Sequence, residues 1–527
     1  MNIDRAPVAT INYLWQKVPV NIRVTFLSAF FIGILTHVFM LTNILPNHDE
    51  LVLLVGNPDS TEAGRWFLRF PAAISGIFSM PLVNGLLSVT WLSFAACFVV
   101  SSVKINKRVY CAFAAGLMVT FPSVAATLTY MQVADAHFFA LMLACFAAYL
   151  AERYKYGYIA AVVPVVLSLG IYQSFFGVTA GLMIIALLRD VLENNAAPGK
   201  TLLKGLRYVG VLCAGMIINL LVVRLTIPPS GLSHYQNMDQ LGRLSLSELP
   251  YAVFRAYRSV AAYFLIDTRN VHFSFMPAVF IISALLCVFL LALWCVRKRL
   301  HKEPSRMALL IVLLILLPLG CNIVYVMGAY WVHDLMIYGI VLIPVLMLMI
   351  IDLYSDDDFS QMINEEPSSA KAAVLSCWVL TVSVALCIFN YWISSNQAYI
   401  KMTYAYEQTY AQSLLLVSRI QAVDGYSRDT EIVLVGTPRL ENGIPELEDV
   451  TLTGAVGTEL FGDWSYPFFL SRYLNFTQEV FFLRDGIVSE PEIAAVVSEM
   501  PVFPDSGSVL FIRDKIYVKL SYPSPGE

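Results

Sequence analysis

The feature that most restricts how this chain can fold is the recurrence of apolar runs close to the ~20 residues that cross a hydrocarbon core. They fall near 22–44, 80–103, 109–126, 132–152, 157–173, 174–190, 205–227, 273–296, 307–327, 332–353 and 372–394. Of the 527 residues, 58% are apolar and only 14% charged. That is too little polar surface to cover a water-soluble protein of this length. The expected fold class is a polytopic α-helical membrane protein of about eleven spans, and no nucleic-acid partner is expected.

Orientation follows from the basic residues. Lys17 precedes the first run and Arg23 stands at its start, KINKR (104–108) follows the second, ERYK (152–155) the fourth, RDVLENNAAPGKTLLKGLR (189–207) the sixth and RKRLHKEPSR (297–306) the eighth. If the spans alternate, all of these share one side, which the positive-inside rule assigns to the cytoplasm. The acidic loop SDDDFSQMINEEPSSAK (355–371) falls on that side too, but acids weigh little in the rule. Loops 45–79, 127–134, 228–272 and 328–331, and everything after 394, then lie outside. The N-terminus has no uninterrupted apolar stretch followed by a small-residue cleavage site, so the first run is read as a retained anchor. The nine cysteines sit in or beside apolar runs and read as small buried hydrophobes, without disulfide or zinc spacing.

On the outer side polar groups gather. NILPNHDELVLL (43–54) places Asp49 and Glu50 side by side directly after the first span. A carboxylate acting as general base must stay ionised and meet a bound hydroxyl, and adjacent acids repel, which separates their proton affinities. The same stretch can instead open a helix, with Asn47 as its cap and the acids in its first turn; the two readings are compatible. Further on, GRWFLRFP (64–71) sets Arg65 and Arg69 beside Trp66. Arginine suits phosphate, although a helix lying in the membrane interface explains the same residues. TYMQVADAHFF (129–139) holds Asp135 about one turn inside a span, where an acid is costly; His137 reads as structural. Tyr172 and Gln173 of IYQSFF, Arg255 and Arg258 of AVFRAYRSV, and His333 of GAYWVHDLM complete the outer-face candidates. No HExxH, cysteine cluster, EF-hand loop, Walker loop or GxGxxG is present, so no metal, cofactor or cytosolic nucleotide sugar is implied.

From 395 onward the composition changes, to 18 acidic against 9 basic residues. NQAYIKMTYAYEQTYAQSLLLVSRIQ has helical spacing. EIVLVG (431–436) reads as a strand, and SVLFIRDKIYVKLS (508–521) as a hairpin about Arg513-Asp514-Lys515. The division is therefore 1–394, a transmembrane domain, and 395–527, a small outer α/β domain. The aromatics of GDWSYPFFLSRYLNF (462–476) are read as its core, with sugar stacking as the alternative.

In HDE (48–50), GRW (64–66), FP (121–122), Tyr130 with Asp135, YQS (172–174) and the terminal Gly-Ser-Val (507–509), the chain resembles the serotype-converting O-antigen glucosyltransferases of the Gtr class. These are bacterial members of the GT-C superfamily of polyprenyl-phosphate-sugar-dependent transferases. The resemblance runs over nearly the whole chain, and its specificity lies in the order of short motifs. It implies transfer of glucose from undecaprenyl-phosphate-glucose to a hydroxyl of the O-antigen glycan of lipopolysaccharide. The reaction would take place on the periplasmic face of the inner membrane, without a metal. It implies Asp49 as base with Glu50 as partner or alternate, Asp135 as a second, orienting acid, and Arg65 on the donor phosphate. Arg255 and Arg258 are phosphate candidates without a motif behind them; Trp66, Tyr130, Tyr172, Gln173 and His333 are candidate substrate contacts. Rival readings are another GT-C transfer with a different sugar or acceptor, an O-antigen polymerase or ligase, and a transporter. Against the transporter stand the absence of repeats and the outer-edge position of the charges.

Overall fold

The computed structural model describes residues 7–53, 63–76, 78–193, 197–227, 245, 247–266, 272–327, 332–365, 367–437, 447–455, 459–462, 464–483 and 485–522. A peripheral helix α1 (Pro7–Lys17) precedes α2 (Val20–Thr42), and two short helices follow, α3 (His48–Leu53) and α4 (Arg69–Ala72). The bundle continues with α5 (Pro81–Val103), α6 (Arg108–Thr120), α7 (Pro122–Leu128), α8 (Met131–Arg153), α9 (Gly157–Ala160), α10 (Val162–Ile171), α11 (Phe176–Leu192) and α12 (Pro198–Thr226). Its second half is α13 (Leu249–Leu265), α14 (Met276–Arg297), α15 (Pro304–Cys321), α16 (Leu342–Asp352), α17 (Asp356–Glu365) and α18 (Pro367–Gln421).

Every one of the eleven apolar runs coincides with helix, but they are not equivalent. Among the described residues eight helices are long and apolar enough to cross a membrane. α6 and α7 form a ninth span only as a pair bent by 43°. The bend has a local cause. Pro122 pushes Phe121 out of helical geometry to an extended ψ of 136°, and supplies the first residue of α7. Gly157–Ile171 and Tyr338–Asp352 are apolar but shorter than a full crossing.

Helices pack through small residues. A β-carbon on Gly85 of α5 would lie 1.9 Å from the Leu41 side chain of α2, so the α2–α5 contact needs glycine there. His37 on α2 joins the Tyr399 hydroxyl of α18 (2.7 Å) and the Val119 carbonyl of α6 (2.8 Å). Large apolar side chains such as Leu35, Leu225, Leu285 and Trp378 stay exposed, as they do where the solvent is lipid.

The two ends of the bundle differ in chemistry. At one end the basic loops converge. Lys104 meets Glu152 and Asp190, Lys107 donates to the Tyr354 carbonyl, and Lys298 pairs with Asp358. The carboxylate of Asp352 accepts the amides of Asn106 and Lys107. The other end carries α3, the start of α8 and the turn into α11.

The tail is built on a four-stranded sheet: β1 (Glu431–Val435), β2 (Val480–Leu483), β3 (Val509–Ile512) and β4 (Lys515–Lys519), in the order β2-β1-β4-β3. β1 is parallel to both neighbours, and β3–β4 is the antiparallel hairpin expected around Arg513. α19 (Tyr466–Leu474) and α20 (Pro491–Glu499) cover opposite faces. β2 was not foreseen in the sequence: its four residues VFFL do not alternate. α18 runs without a break through position 394, about 80 Å in all. Its last turns, Leu416, Val417 and Ile420, are part of the tail's own core.

Candidate active site at the acid helix

α3 is short, yet it is fixed at both ends. At its start the Asn47 side-chain oxygen accepts the Glu50 amide (2.9 Å), while its NH2 donates to the Thr129 carbonyl (2.6 Å). Asn47 is thus the cap that the sequence allowed, and it also ties α3 to the α7–α8 corner. At its end Arg472 of α19 donates to the carbonyls of Leu51 and Val52. Leu51 itself is buried in the core of the tail.

This geometry separates the two acids. The Asp49 side chain is 40% exposed, 3.7 Å from the His48 ring. Glu50 is 2% exposed and faces the bundle. One of its oxygens accepts from the Ser79 hydroxyl, and the other is buried without a hydrogen-bond partner among the described residues. Burial pushes its pKa up to about 7, against the smaller opposing pull of Ser79 and the Asn47 cap. The inward carboxylate is therefore Glu50, while Asp49 faces water.

Asp135, 2% exposed on α8, accepts from Asn84 of α5 (3.3 Å), and Asn84 also donates to Ser75 (3.1 Å). These bonds meet the cost of an acid inside a span. Beside this network the Arg65 guanidinium lies over the Tyr172 ring at 5.1 Å, and His137 stacks on that ring at 4.5 Å. The Nε of Arg65 is buried with no hydrogen-bond partner among the described residues.

The other candidates sort by what they touch. Trp66 is a fastener: its indole N–H donates to Asn219 of α12 (2.9 Å), and its ring packs where a β-carbon on Gly170 would stand. Gln173 donates to the Ala63 carbonyl (3.3 Å), holding the segment that carries Arg65. Tyr130 faces the His48 ring edge-on at 6.2 Å. Arg255 lies over Tyr325 at 4.9 Å on α13, and Arg258 is exposed on the same helix. No described contact brings either of them to the acid helix. His333 is half-buried next to Asp334, whose carboxylate accepts the Thr453 amide (3.0 Å) and hydroxyl (3.1 Å) from the tail. Asp334 is thus a docking point for the tail. Residues 54–62, Tyr330 and Trp331 lie outside the described residues.

Several residues around the acids were not foreseen. Asn84, a lone amide in the apolar run PLVNGLLS, was findable on polarity. Trp464, edge-on to His48 at 5.1 Å, and Tyr473 come from the tail. Burial, and then the charge of Glu50, push the Tyr473 phenol up. Both belong to the 462–476 aromatics for which sugar stacking was the alternative reading, but no local signal places them beside the acids, because the contact spans about 400 positions of sequence. Among the described residues no group of three or more His, Cys, Asp or Glu is placed to hold a metal ion.

A multi-pass helical bundle with carboxylates, an arginine and aromatics at one end, beneath a small α/β domain, is the architecture of a GT-C-like membrane transferase. Residues 38–344, more than half the chain, match the family model for glucosyl transferase GtrII, and the chain belongs to that family of glucose-transferring enzymes. No curated protein and no solved structure matches it. The matched region contains the acid, arginine and substrate-contact candidates named from the sequence; the 462–476 aromatics and the Gly-Ser-Val at 507–509 lie beyond it. The tail, with Trp464, Arg472 and Tyr473, lies beyond it.

Proposed function

We propose that the chain transfers glucose from undecaprenyl-phosphate-glucose to a hydroxyl of O-antigen glycan. The reaction takes place at the periplasmic face of the bacterial inner membrane, with the N-terminus cytoplasmic and the tail periplasmic. The observation that carries the mechanism is the buried, half-satisfied carboxylate of Glu50 at the polar end of the bundle. A base titrating near neutrality suits proton transfer from an alcohol, and the oxygen left without a partner is where an acceptor hydroxyl would donate. Asp49, on the wet side of the same turn, orients the incoming glycan. The base is thus placed on Glu50, the partner in the sequence-based assignment, and Asp49 takes the supporting role.

The acceptor oxygen attacks the anomeric carbon, the bond from that carbon to the phosphate oxygen breaks, and the hydroxyl proton passes to Glu50. The lipid phosphate leaves with the electron pair. Arg65 meets its charge, since guanidinium binds phosphate oxygens in pairs. Direct displacement inverts the anomeric configuration. Asp135, held by Asn84, keeps the floor of the site polar and in register.

The test is transfer of radiolabelled glucose from polyprenyl-phosphate-glucose to lipopolysaccharide in membranes. Glu50→Gln is expected to lose about 10²–10⁴-fold in rate, the usual worth of a general base. Asp49→Asn is expected to lose less, and mainly in KM for the glycan. Full activity in Glu50→Gln with loss in Asp49→Asn would return the base to Asp49. No transfer by the wild type would refute the donor or the acceptor.

A further inference from the structure

The end of the bundle opposite the acid helix carries a second polar site. From Asp135 to Glu152 α8 rises by about 25 Å, and there the ends of α8, α9, α11 and the start of α12 enclose a cavity of about 330 Å³. Its two lining acids, Glu152 and Asp190, belong to an electrically closed square. Lys104 bridges Glu152 (3.1 Å) and Asp190 (3.2 Å), and Lys204 bridges the same two acids at 2.5 Å each. The Tyr208 hydroxyl donates to Glu152 at 2.6 Å. Both carboxylates are thus engaged by cations inside the protein.

The rim is different. Arg153, Lys155, Lys200 and Arg207 line the opening and are exposed, and among the described residues none of them pairs with a carboxylate. Four unneutralised cations therefore surround a concave site whose acids are already matched. Lys200 also stands in the first turn of α12, a 29-residue helix whose positive end adds to the field. Beside the cavity, Ile159, Leu202, Leu203 and Leu206 are at least half exposed. They form an apolar strip leading from the rim along α12, a helix otherwise turned to lipid.

We propose that this cavity binds a phosphate ester, and that its source is the headgroup of an anionic phospholipid whose acyl chains lie along the Leu202–Leu206 strip. A basic pocket at a helix-bundle end, bordered by exposed apolar side chains, has the chemistry for that ligand. Lysine and arginine stems reach past the apolar strip to the headgroup level. The site does not depend on the transfer reaction at the other end.

The test uses the full-length protein, purified and then incubated with phosphatidylglycerol or phosphatidylcholine, with retained lipid counted by native mass spectrometry. Inorganic phosphate is added as a competitor in a second arm. Lys200→Gln/Arg207→Gln is expected to weaken phosphatidylglycerol retention about tenfold or more, as loss of two interfacial cations should. Lys200→Arg/Arg207→Lys, which keeps charge and reports on folding, should retain it, as should Lys302→Gln at another exposed basic position. Retention that resists inorganic phosphate supports the lipid source. Displacement by inorganic phosphate, lost in the Gln variant, supports the same site with a soluble phosphate as occupant. Equal retention by the wild type and the Lys200→Gln/Arg207→Gln variant in both arms overturns the proposal.

Discussion

Glu50 and Asp49 share one helical turn, yet the fold gives them different water, and that difference makes predictions. The pKa of Glu50 rises from 4.5 to about 7 because burial disfavours its charge. Between those values the folded chain holds a proton that the unfolded chain has released, so folding stability falls as pH rises from about 4.5 through 7. The span corresponds to about 3 kcal/mol. Thermal midpoints measured over this range should decline in the wild type more steeply than in Glu50→Gln, which removes the titration. Activity should move the opposite way. The proposed base works only when ionised, so the transfer rate should climb with pH and level off above about 7. A flat rate profile across pH 5–8 would remove Glu50 from the proton path. The sequence disclosed the pair but not the partition. Which acid turns inward is decided by the Asn47 cap, Ser79 and the tail, and only the cap was visible locally.

At the scale of elements, α3 is far too short to persist alone in water; it is held by what grips it. Leu51 anchors it in the tail core, and Arg472 takes its terminal carbonyls. Leu51→Ala should cost about 3 kcal/mol, as for other buried leucines. Arg472→Ala, which removes no apolar anchor, should lower transfer more than it lowers the thermal midpoint. Equal wild-type transfer in Arg472→Ala would show that the tail does not set the position of the acids. The positions of the apolar helices were legible, because each is its own signal of length and hydropathy, but their ends were not: α12 begins seven residues before its run, α16 fills only the second half of its run, and α18 continues to Gln421. The break between α6 and α7 was not drawn from the sequence, although Pro122 carries it. Among the aromatics of 462–476, Tyr466 and Phe469 are core, as the sequence-based reading favoured. Trp464, 47% exposed, instead turns toward His48.

At the scale of the whole molecule, the polar groups were assigned to one face from alternation of spans alone. The structure gathers Asp49, Glu50, Arg65, Asp135 and Tyr172 around the same end of the bundle. Arg255 and Arg258 were chosen on loop position without a motif; both stand on α13, where Arg255 lies over Tyr325. The tail is where sequence reasoning carried least. Its strands and hairpin are local patterns, but its docking through Thr453 on Asp334 and Thr129 is long-range. The continuity of α18 has a mechanical consequence. A single rod of about 80 Å passes from the basic end of the bundle, past His37, into the hydrophobic centre of the tail. The tail therefore has no hinge at its root. To swing away from the acids it would have to bend a hydrogen-bonded helix, so in the proposed reaction the acceptor would enter from the side, between the tail and the bundle, while the roof stays in place.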